Sequence, residues 1–179
     1  GEGDVAQNLL QQATDLSSLS VPRLRELADI CEANDDVIAA TKVYRKVAKH
    51  AEYSMHRSPD NNLDLARSLT ESAARSEYVE SKILVAEALT TLNKVNRSFK
   101  DPNTQVRANL LASQAFSSID ETEKANQLLE KALNEYHKLS ENDKNLDVKV
   151  ELVRTYVVTG NQEQANSLIN EINKNEGLN

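Results

Sequence analysis

Glycine, cysteine, proline and aromatic residues are all scarce in this sequence, and each shortage removes a class of protein. Four glycines occur in 179 residues, at positions 1, 3, 160 and 177. They leave no place for a Gly-rich phosphate loop, a dinucleotide fingerprint or a nucleophile elbow. A single cysteine, Cys31, excludes an internal disulfide framework and suits a reducing compartment. It falls at an apolar helical position, so a packed, unreactive thiol is expected. His50, His56 and His137 stand in no metal-ligand spacing with Cys31 and carboxylates, and the Glu52/His56 pair reads as a solvated helix end. No metal or cofactor is expected. Serines fall at caps and turns, and no nucleophile, base and oxyanion donor can be assembled, so no enzyme is expected.

No apolar run approaches the roughly 20 residues that a spanning helix needs, which argues against a membrane protein. No targeting segment is visible, and the expected location is the cytoplasm. The net charge of −7 and pI near 5.1 argue against nucleic acid, because neutralising phosphates takes a clustered cationic surface.

What is abundant is Ala, Leu, Glu, Lys and Gln, without alternating apolar-polar strands. The expected fold is all-α. Each of the three prolines opens a helix, in "SVPRL", "SPDNN" and "DPNTQ". There a Ser or Asp can accept from free backbone N–H groups while Pro fills the first turn. "DETE" at 120–123 and "NQEQ" at 161–164 read as capping boxes. These signals predict nine helices near 4–14, 21–33, 37–55, 59–75, 78–99, 103–118, 121–139, 144–159 and 162–174. Only Ser76 marks the break within 59–99, where a hairpin is preferred to one long helix.

An apolar triad with spacing i, i+4, i+7 recurs with alanine leading each copy. The copies are Ala6, Leu10, Ala13; Ala40, Tyr44, Val47; Ala88, Leu92, Val95; Ala125, Leu129, Ala132; and Ala165, Ile169, Ile172. They lie 34, 48, 37 and 40 residues apart. One such set is the buried stripe of any amphipathic helix. Before three of them, however, stands a second apolar set (Leu24, Leu27, Ala28, Cys31; Ala112, Ser113, Phe116; Leu152, Val153, Tyr156), separated by a polar turn. The repeating unit is a helical hairpin whose alanine lets two helices approach closely. Tyr44, Tyr156 and Phe116 fall on apolar hairpin positions and are read as core rather than as a stacking platform.

These hairpins resemble tetratricopeptide repeats. The best copies are "VELVRTYVVTGNQEQANSLINEI" and "RLRELADICEANDDVIAATKVYRKV", although the first-helix Gly of the family is missing throughout. The 48-residue interval exceeds the family period of about 34, so the pair at 59–99 is expected to be longer by two turns or more. The resemblance implies one right-handed α-solenoid over 1–179, with an orphan helix at 4–14 followed by hairpins at 21–55, 59–99, 103–139 and 144–174. The orphan, and an opening "GEGDV" without initiator Met, predict that helical sequence precedes it. Residues 8–70 are similar to the C-terminal repeats of bacterial receiver-containing response regulators. That likeness implies a place in two-component signal transduction.

In such solenoids the first helix of each hairpin lines a concave face. Periodicity assigns to it Arg25, Asp29, Arg67, Thr70, Arg107, Gln114 and Arg154, with Leu63, Leu110 and Val150 between them. Four of the nine arginines gather there, which predicts a groove for an acidic or C-terminal segment of a protein partner, since Arg grips carboxylates with two parallel donors. Replacing Arg67 and Arg154 by Ala is expected to weaken that binding without unfolding the chain. The alternative for this face is a solvated surface with scattered charges, and the alternative function is a structural assembly module in which the helical stack associates with itself.

Overall fold

The computed structural model describes residues 2–16, 20–140 and 144–175. Among these, nine α-helices and no strands are present: α1 Glu2–Leu16, α2 Val21–Ala33, α3 Val37–Ala51, α4 Pro59–Ala74, α5 Tyr78–Ser98, α6 Pro102–Ser117, α7 Thr122–Tyr136, α8 Leu146–Val158 and α9 Gln162–Asn175. The pairs α2/α3, α4/α5, α6/α7 and α8/α9 are antiparallel hairpins, and α1 packs on α2. Residues 59–99 therefore form a hairpin, closed by the Ser81 hydroxyl donating to the Ala73 carbonyl at 2.6 Å.

The punctuation works largely as expected. Ser58 accepts from Asp60 N at 3.2 Å, Asp36 from Ala39 N at 3.0 Å and Asp101 from Thr104 N at 2.8 Å. Ser20 makes no such bond. Neither capping box forms: the N-cap of α7 is Glu121, without a side-chain bond, and the Asn161 amide donates to Thr159 Oγ1 instead. In the first box the leading residue, Asp120, lies in the turn before the N-cap. Asp35, Asp120 and Gly160 have φ of 58°, 60° and 79°. In each of these hairpins the next amide reaches back five residues, Asp36 to Cys31 O, Glu121 to Phe116 O and Asn161 to Tyr156 O. Three hairpins thus share one left-handed helix-ending turn, and only the last uses glycine for it.

The alanines behave as the spacing predicts in four copies. Ala40, Ala88, Ala125 and Ala165 are 0–1% exposed. At one crossing the backbones come close enough for the buried Ser113 hydroxyl to donate to Ala125 O at 2.7 Å. Two triads depart from the expectation. Ala6 is exposed, because no described helix packs on that side of α1. In the last copy Leu168 is buried while Ile169 is 38% exposed, because no described helix follows α9 to cover it. The long 48-residue interval also has a definite source. Ala88 is the eleventh residue of α5, whereas Ala40, Ala125 and Ala165 are the fourth of theirs. Hence α5 begins about two turns early, and a longer connection, 52–58, together with an α4 of 16 residues against the 13 of α2 supplies most of the rest.

Two apolar clusters meet on α6. Ala108, Leu111 and Ala112 join the core of α2–α5, while Val106 and Leu110 join that of α7–α9. Helix α6 is consequently buried from Val106 through Ala115 without a break. Stacking is not uniform: α3 packs on α4 and α5 on α6, but α8 lies against α6 in place of α7. A cleft of about 450 Å³ opens there, floored by Leu133, Leu152 and Leu168. Replacing Ala40, Ala125 or Ala165 by Leu is expected to overpack the crossing and cost about 1–3 kcal/mol, read by urea denaturation.

Candidate concave binding site

The first helices α2, α4, α6 and α8 each contribute to one pocket of about 340 Å³. Arg25 comes from α2, Arg67 from α4, Arg107 from α6 and Arg154 from α8. All four arginines of the sequence pattern are brought together. The other three assigned residues do not line this pocket. Asp29 is exposed on α2 and accepts from the Tyr44 hydroxyl at 3.1 Å. Thr70 is buried, its hydroxyl donating to Ala66 O at 2.9 Å. Gln114 is buried beneath the pocket, where its Nε2 donates to Glu151 Oε1 at 2.9 Å and to Thr155 Oγ1 at 2.8 Å. Leu63 and Leu110 lie wholly below the surface, and only Val150, 38% exposed, stands at the wall.

The sequence pattern did not identify the carboxylates. Asp60, Asp64, Asp147 and Glu151 line the same pocket, so its four positive charges meet four negative ones. Arg25 donates to Asn61 Oδ1 at 2.6 Å and to Asp64 Oδ2 at 2.7 Å. Arg67 spans Asp64 Oδ1 at 3.0 Å and Glu151 Oε2 at 2.9 Å. Arg107 donates to Asp60 Oδ1 at 2.7 Å, with Asp147 at 3.9 Å. Arg154 is exposed and, among the described residues, has no ion-pair partner. A signal for Glu151 did exist: the buried stripe of α8 is Val148, Leu152 and Thr155, and Glu151 shares its helical face.

Burial and charge set the ionisation here. Burial works to raise the Asp60 carboxyl, but the Arg107 hydrogen bond and charge, helped by Ser58 and Arg25, outweigh it and hold Asp60 below its ordinary value. Glu32, beside this network, goes the other way: burial raises it and the Tyr44 hydroxyl lowers it. Glu71 and Asp64 raise it further against the pull of Arg67, leaving it above its usual range. Burial, then Asp36 and Glu32, push the Cys31 thiol up, consistent with an unreactive sulfur. Among the described residues, no group of three His, Cys, Asp or Glu is placed to hold a metal ion, and no helix is long and apolar enough to cross a membrane.

No protein-family model matches the chain, and no curated protein does. Solved structures do resemble it. A crystal structure of a single-substitution variant of the nearly identical TPR-like repeats of a Podosopora anserina protein, named as a kinesin light chain, matches with a TM-score of 0.54 at 19% identity. The match covers 97% of this chain and 86% of that one. A second crystal structure of those repeats gives 0.52 at 19%, over 97% and 87%. The likeness is one of fold: the chain is a TPR-like array of helical hairpins.

The geometry changes one expectation. Arg67 has 15% of its side chain exposed and bridges two acids, so Arg67→Ala cannot leave the fold untouched. Its removal strands the buried Glu151 and is expected to cost about 3–5 kcal/mol, whereas Arg67→Met with Glu151→Leu recovers most of that loss; chemical denaturation of the three proteins checks it. A pH effect follows from Glu32. Its folded pKa is raised, so the penalty for its charge is absent below the unfolded value of about 4.3 and complete above the folded one. Glu32→Gln is expected to raise Tm at pH 7 and to leave it unchanged near pH 4.

Proposed function

We propose that the protein is an interaction scaffold whose concave face takes an acidic or C-terminal segment of a protein partner. The observation that carries this reading is Arg154. It stands at the pocket wall with no ion-pair partner among the described residues, beside Leu146 and Val150 and alongside three guanidiniums whose orientations are set by Asp60, Asp64 and Glu151. A preformed pocket limits the ordering cost of binding. The unpaired fork supplies a charge-assisted contact to an incoming carboxylate, and the two apolar side chains suit a neighbouring aliphatic group.

The fold supports the general class, since a curved row of hairpins offers one continuous inner surface. A setting in bacterial two-component signalling, in the cytoplasm, is supported by the resemblance of residues 8–70 alone, and the sequence upstream of residue 1 tests it. A second reading, association with another copy, is favoured by α1, where Val5 and Leu9 are 58% and 61% exposed.

Arg154→Ala is expected to weaken binding of peptides with acidic C-termini about tenfold, with the helical circular dichroism spectrum unchanged. Unchanged affinity removes the pocket from consideration. Concentration-dependent dimers that form equally well with Arg154→Ala, without peptide binding, favour self-association.

A further inference from the structure

One second helix carries the opposite charge to the chain as a whole. Acidic residues outnumber basic ones by 28 to 21, yet α3 from Val37 to Ala51 contains no carboxylate and four cations, Lys42, Arg45, Lys46 and Lys49. All four are exposed, and they fall at i, i+3, i+4 and i+7, one helical face. Like charges at these spacings destabilise a helix by a few tenths of a kcal/mol per pair. Arg45 alone is relieved, by a two-pronged contact with Glu87 on α5 at 2.7 Å for each prong. Among the described residues Lys42, Lys46 and Lys49 have no ion-pair partner. The stripe is bounded by exposed apolar side chains: Ile38, 70% exposed, one turn before Lys42, and Tyr53 and Met55, 92% and 95% exposed, beyond its end.

We infer that this face of α3 is a second docking surface, distinct from the concave pocket, and that its occupant is an acidic amphipathic helix of a partner protein. The fit is one of charge and spacing. Lys42, Lys46 and Lys49 succeed one another at about 6 Å and about 4.5 Å along the axis, the rise at which a helix presents carboxylates four and three residues apart. Ile38 supplies an apolar contact one turn away. A continuous anionic sheet such as a lipid surface fits less well, because Glu87 and Glu52 share this side, holding Arg45 and Lys94, and would be pressed against like charge.

The test uses the full chain and a fluorescein-labelled synthetic helix bearing Glu at positions spaced by four and three residues with Leu one turn away, followed by anisotropy at low salt. The expected result is saturable binding that weakens about tenfold in Lys42→Glu/Lys46→Glu/Lys49→Glu. Binding should also fall steeply as salt shortens the screening length and be unchanged by Arg154→Ala. Because the three lysines are exposed and unpaired, the variant is expected to keep its helical spectrum. Equal binding by the charge-reversed variant, or loss of binding with Arg154→Ala, overturns the inference. So does failure of the acidic helix to bind at all, whether or not phosphatidylserine vesicles are captured.

Discussion

The bridge from Arg67 to Glu151 is the constraint on which the inner surface depends. It joins residues 84 positions apart, one on α4 and one on α8, across α6, which packs between those helices. Glu151 is 2% exposed, and a charge so placed is tolerated only with its partners in position. Gln114 of α6 satisfies its other oxygen, so a single carboxylate ties three first helices together. Through Arg67 the chain of contacts continues to Asp64 and on to Arg25 of α2. In an ideal solenoid each unit meets only its neighbours. Here a polar path links the first hairpin to the fourth and holds the inner helices to one curvature.

Hydrophobic stacking alone would define that curvature less closely. The clusters on either side of α6 are separate, and α8 packs on α6 more than on α7, so the last hairpin is attached through α6, the apolar side chains it shares with α7, and the bridge. Helix α6 packs against α4, α5, α7 and α8, and its face from Val106 to Ala115 carries Arg107, Asn109, Ser113 and Gln114 as buried polar residues. Each of them has a described partner: Asp60, Glu135, the Ala125 carbonyl and Glu151 respectively. Paired in this way they specify contacts that an apolar surface would leave to slide.

Charge is divided by side. Inside, cations and carboxylates neutralise one another, and the proposed binding there relies on Arg154, which has no ion-pair partner among the described residues. Outside, α3 presents cations with no acid of its own, so long-range attraction of an acidic partner resides on the convex surface. The concave pocket is suited to short-range geometry and the convex stripe to steering.

Helix positions, the hairpin repeat and the alanine crossings were legible in the sequence because they are local: an i, i+4, i+7 stripe and a Pro-marked start depend on a few consecutive residues. Even the early start of α5 could be anticipated from one irregular interval. The gathering of Arg25, Arg67, Arg107 and Arg154 was also legible, since all lie on first helices at matching phase. Of their partners only Glu151 left a trace, by its place on the apolar face of α8. Nothing near Arg67 in the chain distinguishes Glu151 from the other carboxylates, because that choice is made by the stacking of α4, α6 and α8. Composition and short-range pattern therefore determined a row of helical hairpins. Tertiary packing decided which charges are neutralised within the row and which, Arg154 and the lysines of α3, are left facing out.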